Sequence, residues 1–383
     1  MKELFSVLTV QEAQKLITEL VPDFLPGIEE VDLLTAINRR LLADIIAPED
    51  LPAFSRSTVD GYAVRAKDTF GATESMPGFL TKIGEIEMGE AAQYSLAQGQ
   101  AVWIPTGGML PEGADAVVMV EYTEEVGAGL VTINRPVTIG ENVIARGEDC
   151  AKGALVLAAQ TSLGPAEIGL LAGLGISKVA VSTKPKVAII STGDEIVSPT
   201  EAPGPGQIRD VNTYALAAQV MDAGGTPICY GVVKDVAFNL SLVLAQAIEQ
   251  TDLVLISGGS SVGTRDMTAE VLSEGNPGIL FHGLAIRPGK PTLGAMIGGK
   301  LVFGLPGHPA SAMVVFRTLV RPLLQHGSYS REQVKADFPV LAELTQSLAS
   351  GPGREDYVRV RLEQQGAQQL VEVAQDSRPQ DEA

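Results

Sequence analysis

Ser257-Gly258-Gly259-Ser260-Ser261, with Asp266 a few residues on, is the stretch of this chain best equipped for chemistry. Small residues let a backbone turn sharply and come close to a ligand. Amides and hydroxyls in such a turn suit phosphate or another oxyanion, and Asp266 is placed to hold a divalent metal beside it. A tight strand-to-helix turn accounts for the same residues without any ligand. Arg287-Pro288-Gly289-Lys290-Pro291 adds two cations in an arc stiffened by prolines, the local positive charge that an anionic ligand requires. Taken alone, that segment reads equally well as a solvated basic turn. Other polar residues fall in turns at Asp60, Thr106, Asp149, Thr192-Gly193, Glu195, Asp235 and Pro306-Gly307-His308. Pro309 suits the first turn of a helix whose amides point back at that last loop.

These loops need strands to deliver them. Val187–Ile190 and Asp252–Ile256 are apolar without alternation, the pattern of strands covered on both faces. Further strands are predicted over 227–233, 291–297 and 301–304, with helices over 212–223 and 238–250. That alternation predicts a three-layer α/β sandwich over 183–327, with ligands outside the carboxyl ends of its strands. Upstream, Thr9-Val10-Gln11-Glu12 is a capping box for a helix reaching Val21. The apolar spacing of Leu33, Leu34, Ile37, Leu41 and Leu42 predicts a second helix over Val31–Ile46. Residues 51–139 are rich in Gly and Pro with short alternating runs, a small β domain. Gly164-Pro165 starts a helix that runs to Ala172, in a linker region, 140–182, that groups with 1–50. Helices near 331–338 and 340–349 precede alternating segments at 354–362 and 370–374. Residues 328–383 thus read as a C-terminal β domain, incomplete at Ala383.

At 383 residues the chain implies about two to four domains. Hydrophobic residues make up 45% and charged residues 19%, the composition of a folded chain. Cys150 and Cys229 form no CxxC pair, and His282, His308 and His326 lack zinc-ligand spacing. Met1–Val10 is a poor signal peptide, and no apolar run approaches the roughly 20 residues that span a bilayer. A soluble, cytoplasmic protein is expected. The net charge of −18 argues against binding nucleic acid or an anionic membrane.

The motifs Ser57–Val64, Pro105–Gly108, Pro111–Val118, Gly147–Asp149, Ser191–Glu195, Ser257–Asp266, Arg287–Pro291 and Gly304–Ser311 resemble those of the molybdopterin molybdenumtransferases. This is the MoeA family of molybdate-insertion enzymes, which includes the E domain of gephyrin. The resemblance implies a four-part subunit that forms a homodimer, with the segments 1–50 and 140–182 serving dimerisation. It implies an enzyme that inserts molybdate into adenylylated molybdopterin with Mg²⁺-dependent release of AMP, downstream of a molybdopterin adenylyltransferase. By residue-to-residue match, Asp235 and Asp266 hold Mg²⁺, while Arg287 and Lys290, with Arg354, bind molybdate. Ser257 to Ser261 and Pro306-Gly307 cradle the pterin phosphate and nucleotide, with Thr192, Gly193 and His308 at the same loops. Asp60, Thr106, Asp149 and Glu195 line the cleft. Three departures stand out. Arg287 replaces a Lys found in many members, and His308 an Asn found in some. The family's Ser-rich turn near molybdate has no counterpart before Ala383. The other readings are a molybdopterin adenylyltransferase-like enzyme, which would not need the motifs through Asp149, and a non-catalytic scaffold like gephyrin. The resemblance leaves molybdate versus tungstate open.

Overall fold

A computed structural model describes residues 7–22, 24, 27–127, 129–258, 262–275, 277–329, 342–365 and 368–373, without the side chains of 262–266, 363–365 and 368–373. The chain divides into two compact units, Glu30–Ala180 and Met1–Glu29 with Val181–Ala383.

Helix α1 (Val10–Leu20) opens on the predicted capping box. Thr9 Oγ1 accepts from the Glu12 amide at 3.2 Å, and Glu12 Oε2 accepts from the Thr9 amide at 2.8 Å. The following segment departs from expectation. In place of a helix over Val31–Ile46 there is a strand at Ile28–Asp32, a single 3-10 turn at Leu33–Ala36 and a short strand at Ile45–Ile46. Asn38 breaks any helix with φ of 59°. The backbone beyond it bonds to distant partners: Leu41 N donates to Thr161 O at 2.9 Å, and Leu163 N to Arg39 O at 2.9 Å.

The rest of Glu30–Ala180 is built on a six-stranded sheet. Its strands are β1 (Gly61–Val64), β2 (Gly78–Glu85), β3 (Gln100–Ile104), β4 (Ala116–Met119), β5 (Thr123–Val126) and β6 (Leu130–Ile133). They lie in the order β4-β1-β3-β2-β6-β5, parallel only between β2 and β3. Helix α2 (Pro165–Gly173) starts where Gly164-Pro165 predicts.

The second unit holds the α/β layers. In chain order its elements are β7 (Lys186–Thr192), α3 (Asn212–Asp222), β8 (Thr226–Val233), α4 (Ala237–Gln250), β9 (Leu253–Gly258), α5 (Val262–Ser273), β10 (Gly278–His282), β11 (Leu293–Ile297), β12 (Lys300–Leu305) and α6 (Pro309–Val315). The sheet order is β8-β7-β9-β12-β11-β10. Its first four strands are parallel, and β11 and β10 are each antiparallel to the strand before. Alternate residues face opposite sides of a strand, and here both sides are covered. Val187, Ile189, Leu255 and Phe303 pack with residues of α1, α3 and α6. Ala188, Ile190, Ile256 and Val302 pack with residues of α4 and α5. This is the expected three-layer sandwich.

At the C-terminus, the helix predicted near 331–338 falls outside the described residues. The one predicted over 340–349 is not seen at 342–349, where Glu343–Leu344 pairs in parallel with Leu370–Val371. Val360–Gln365 adds an antiparallel neighbour.

Gly61 on β1 is the tightest point of the first unit. A Cβ there would lie 1.9 Å from the carbonyl oxygen of Val118 on β4. Gly61→Ala is expected to destabilise the chain by about 3 kcal/mol or more, because relief requires the two strands to part. Urea unfolding of that variant beside the parent chain measures it.

Candidate active site

Register sets where the polar loops emerge. Thr192 of β7 pairs with Val233 of β8 and with Gly258 of β9, and Ser257 pairs with Leu305 of β12. The four carboxyl ends therefore share one rim, as the strand alternation predicts. A bulge in β8, where the register against β7 shifts by one residue, keeps Val233 level with Thr192. Gly231 beside it has φ of 77°, a left-handed conformation that glycine adopts without strain. The antiparallel pair β11 and β10 returns the chain to that rim, because His282 pairs with Leu293 and Leu293 with Gly304. The basic loop after β10 thus leaves from the same edge. Along the rim stand Asp235, then Thr192 to Glu195, Ser257-Gly258, Pro306 to His308, and finally Arg287 and Lys290. The end strands are five spacings apart, roughly 24 Å.

At the first end, carboxylates crowd together. Asp235 N donates to Asp194 Oδ1 at 3.4 Å. Burial raises the pKa of Asp235, and the charges of Asp194 and Glu195 push it further the same way. Its Oδ1 is buried without a hydrogen-bond partner among the described residues. A cation is the natural complement of such an oxygen. Asp266 lies on α5, and its side chain is outside the description.

In the middle, Asn212 at the start of α3 ties two loops together. Its Nδ2 donates to Ser257 Oγ at 2.5 Å and to Gly307 O at 2.8 Å. Asp210 accepts from the Thr213 amide at 3.0 Å and from Ser191 Oγ at 3.3 Å, fixing the start of the same helix. Neither Asn212 nor Asp210 stands out in the sequence, since both read as ordinary residues of a helix start. Thr192 Oγ1 and Asn212 Oδ1 are buried with no partner among the described residues. Gly258 leaves room beside that hydroxyl: a Cβ would come within 3.0 Å of it. His308 is exposed at the N-cap of α6 and makes no capping bond through its side chain. Gly259, Ser260 and Ser261 lie outside the described residues.

At the far end, Arg287, Lys290 and Arg354 line one cavity of about 420 Å³, with Leu284, Pro288 and Pro291 among its other walls. Ile286–Arg287 pairs in parallel with Glu355–Asp356, which carries Arg354 to the basic loop.

The remaining candidates lie in the first unit. Thr106 donates to Asp60 Oδ1 from its amide at 2.6 Å and from its hydroxyl at 2.9 Å. Those two bonds, the amide's first, hold the Asp60 carboxyl below the usual range. Asp149 stands in a separate turn whose amide donates to Leu51 O at 3.0 Å, and no described bond links it to Asp60 or Thr106.

The crowding at Asp235 has a measurable sign. A carboxyl whose folded pKa is raised costs stability at neutral pH, and that cost fades as pH falls through the raised value. Asp235→Asn is expected to raise the unfolding midpoint by a few degrees at most at pH 7, with the gain shrinking toward acid. Thermal unfolding across pH checks it.

Residues 8–175 match the family described as MoeA N-terminal region (domain I and II), and residues 188–326 match the one described as Probable molybdopterin binding domain. The molybdopterin molybdenumtransferase of Bacillus subtilis (strain 168) is 36% identical over 322 residues, 81% of this chain and 75% of that protein. The one of Haemophilus influenzae is 35% identical over 360 residues, 92% of this chain and 85% of its own length. The crystal structure of the molybdopterin biosynthesis moeA protein from Pyrococcus horikoshii OT3 superposes with a TM-score of 0.78 at 33% identity, covering 96% of this chain and 90% of that one. On these grounds, and in keeping with the loops gathered at its sheet rim, the chain belongs to the molybdopterin molybdenumtransferase family, MoeA.

Proposed function

We propose that this chain binds molybdate in the cavity of Arg287, Lys290 and Arg354 and inserts the metal into adenylylated molybdopterin, with Mg²⁺-dependent release of AMP. Family membership makes it a transferase of molybdenum cofactor biosynthesis. Three cations sharing one cavity of about 420 Å³ is the observation that carries the molybdate assignment. In a chain of net charge −18, that local reversal of sign is what a tetrahedral dianion needs. Arg offers paired donors to an oxyanion, and Lys a compact charge.

The phosphates belong between the middle of the rim and its carboxylate end. Ser257 and Gly258 offer a hydroxyl and a backbone free of side-chain bulk, and Asn212 holds that loop against Gly307. Mg²⁺ fits the buried, unpartnered Oδ1 of Asp235; by residue match to the family, Asp266 would be its second ligand. When bound, it offsets charge at the scissile phosphate. An adenylylated pterin lying along the rim would bring its anhydride to the carboxylates and its dithiolene to the cations. Glu195, Thr192, Gly193, Pro306 and His308 line the path between.

The working form is a homodimer supplied by a molybdopterin adenylyltransferase in the cytoplasm, with no role for nucleic acid. The cross-strand pair of Ile46 and Leu155, 51% and 58% exposed, offers an apolar surface to a second copy. No described helix is long and apolar enough to cross a membrane.

The test mixes protein, adenylylated molybdopterin and Mg²⁺ with molybdate or tungstate, and follows AMP. Asp266→Ala is expected to abolish AMP release while leaving molybdate binding largely intact; full Mg²⁺-dependent turnover by that variant refutes the metal assignment. Lys290→Ala is expected to weaken molybdate binding by about tenfold or more, read by calorimetric titration.

A further inference from the structure

We propose that Asp356 sets how tightly the cavity of Arg287, Lys290 and Arg354 holds its oxyanion, as a fixed carboxylate that competes with the ligand for the guanidinium groups. The inference rests on the oxyanion reading of that cavity. Asp356 is aligned with Arg287 across a parallel strand pair. Backbone bonds hold the pair on both sides, from Glu355 N to Ala285 O at 2.8 Å and from Tyr357 N to Arg287 O at 2.7 Å. Its Oδ1 lies 3.1 Å from Arg354 Nε, with the Asp356 side chain 14% exposed and that of Arg354 39%. Its Oδ2 accepts from Ser350 Oγ at 2.6 Å. The guanidinium also rests against Gly351, where a Cβ would come within 3.4 Å of Nε. The Ser350 hydroxyl first, then the charges of Arg354 and Arg287, hold the Asp356 carboxyl below the ordinary range, so it is ionised at neutral pH.

The charges at the cavity therefore do not sum to those of its three lining cations. With Asp356 counted they are two positive, which a dianion neutralises. Without it one positive charge would remain beside the bound anion. A transferase must give its anion up to the reaction, and tighter hold on the ground state lowers KM without raising kcat. A carboxylate held by the Ser350 hydroxyl and lying beside the Arg354 guanidinium as an ion pair, its Oδ1 without a hydrogen bond among the described residues, weakens the hold by a set amount.

The experiment titrates the full chain with sodium molybdate alone, in calorimetry at a fixed ionic strength of about 0.15 M. Asp356→Asn removes the charge at nearly unchanged volume; it keeps one oxygen to face Arg354 and turns an amide donor toward the Ser350 hydroxyl, which can accept it. It is expected to bind molybdate about fivefold tighter, or more. Glu355→Gln removes the same charge one residue away, where the side chain points to the opposite face of the strand. It is expected to change affinity less than about twofold. Asp356→Ser, with a shorter uncharged side chain, replaces the Asn variant if that one fails to fold, and tightening is expected again. Unchanged or weaker binding in a folded, uncharged variant overturns the proposal. Equal tightening by Glu355→Gln also overturns it, since the effect would then be that of the general acidic field. Weaker binding in Lys290→Ala without tightening in Asp356→Asn overturns the role of Asp356 alone. Parent-level binding in Lys290→Ala overturns the oxyanion reading itself.

Discussion

Parallel pairing in register is the constraint on which everything else at this site depends. Each parallel strand must begin at the same edge of the sheet as its neighbours, so each loop at its carboxyl end must emerge at the opposite edge. That geometry makes neighbours of Thr192, Val233, Gly258 and the turn after Leu305, which are far apart along the chain. One residue of slip in β8 would turn its inward side chains outward and displace Asp235 from Thr192. The bulge before Gly231 absorbs such a mismatch within the strand and returns the end of β8 to register.

Electrostatics then divides the rim. Its carboxylates gather where α3, α4 and α5 enclose the parallel strands, and its cations where the antiparallel pair β11 and β10 ends. Folding alone gains nothing from either grouping. A buried oxygen without a partner, as at Asp235, costs free energy, and so do three cations gathered beside a single carboxylate. Such costs persist where a ligand relieves them, and they cluster at functional sites. Asp60 and Thr106 show the opposite economy, a carboxylate already satisfied by one neighbour's amide and hydroxyl.

The sequence made the α/β layers readable because their signals are local. Unalternating apolar runs, Gly-rich turns and Pro309 each mark an element without reference to the rest of the chain. The failures share one cause. Leu33, Leu34, Ile37, Leu41 and Leu42 have helical spacing, yet Leu34 is 85% exposed and the backbone is spent on pairing with residues near Thr161. Glu343–Leu344 likewise takes a partner at Leu370–Val371. Non-local pairing overrides local periodicity, and a single chain read in order carries little sign of it. Asn212 escaped notice for a related reason: an asparagine at a helix start reads as a cap, and only the fold shows it bracing Ser257 and Gly307. The spacing Asp210-x-x-Thr213, a cap-like signal, was the one local hint that this helix start is fixed by side chains.

The rim is also built to different strengths along its length. Ser257 and Thr192 close long parallel pairings in the middle of a sheet covered on both sides. The cation cavity instead rests on short pairings: the bridge of Leu8 with Leu284, the two-residue pairing of Ile286–Arg287 with Glu355–Asp356, and bonds within the loop such as Leu284 N to Lys290 O at 2.9 Å. Short pairings near a surface open at lower free energy than central strands do. The middle of the rim is thus fixed by longer pairings than the cavity of Arg287, Lys290 and Arg354. On the proposed reading, the anion would then sit where pairing is short and the phosphates where it is long, which suits a site that must admit and release the one while holding the other in place.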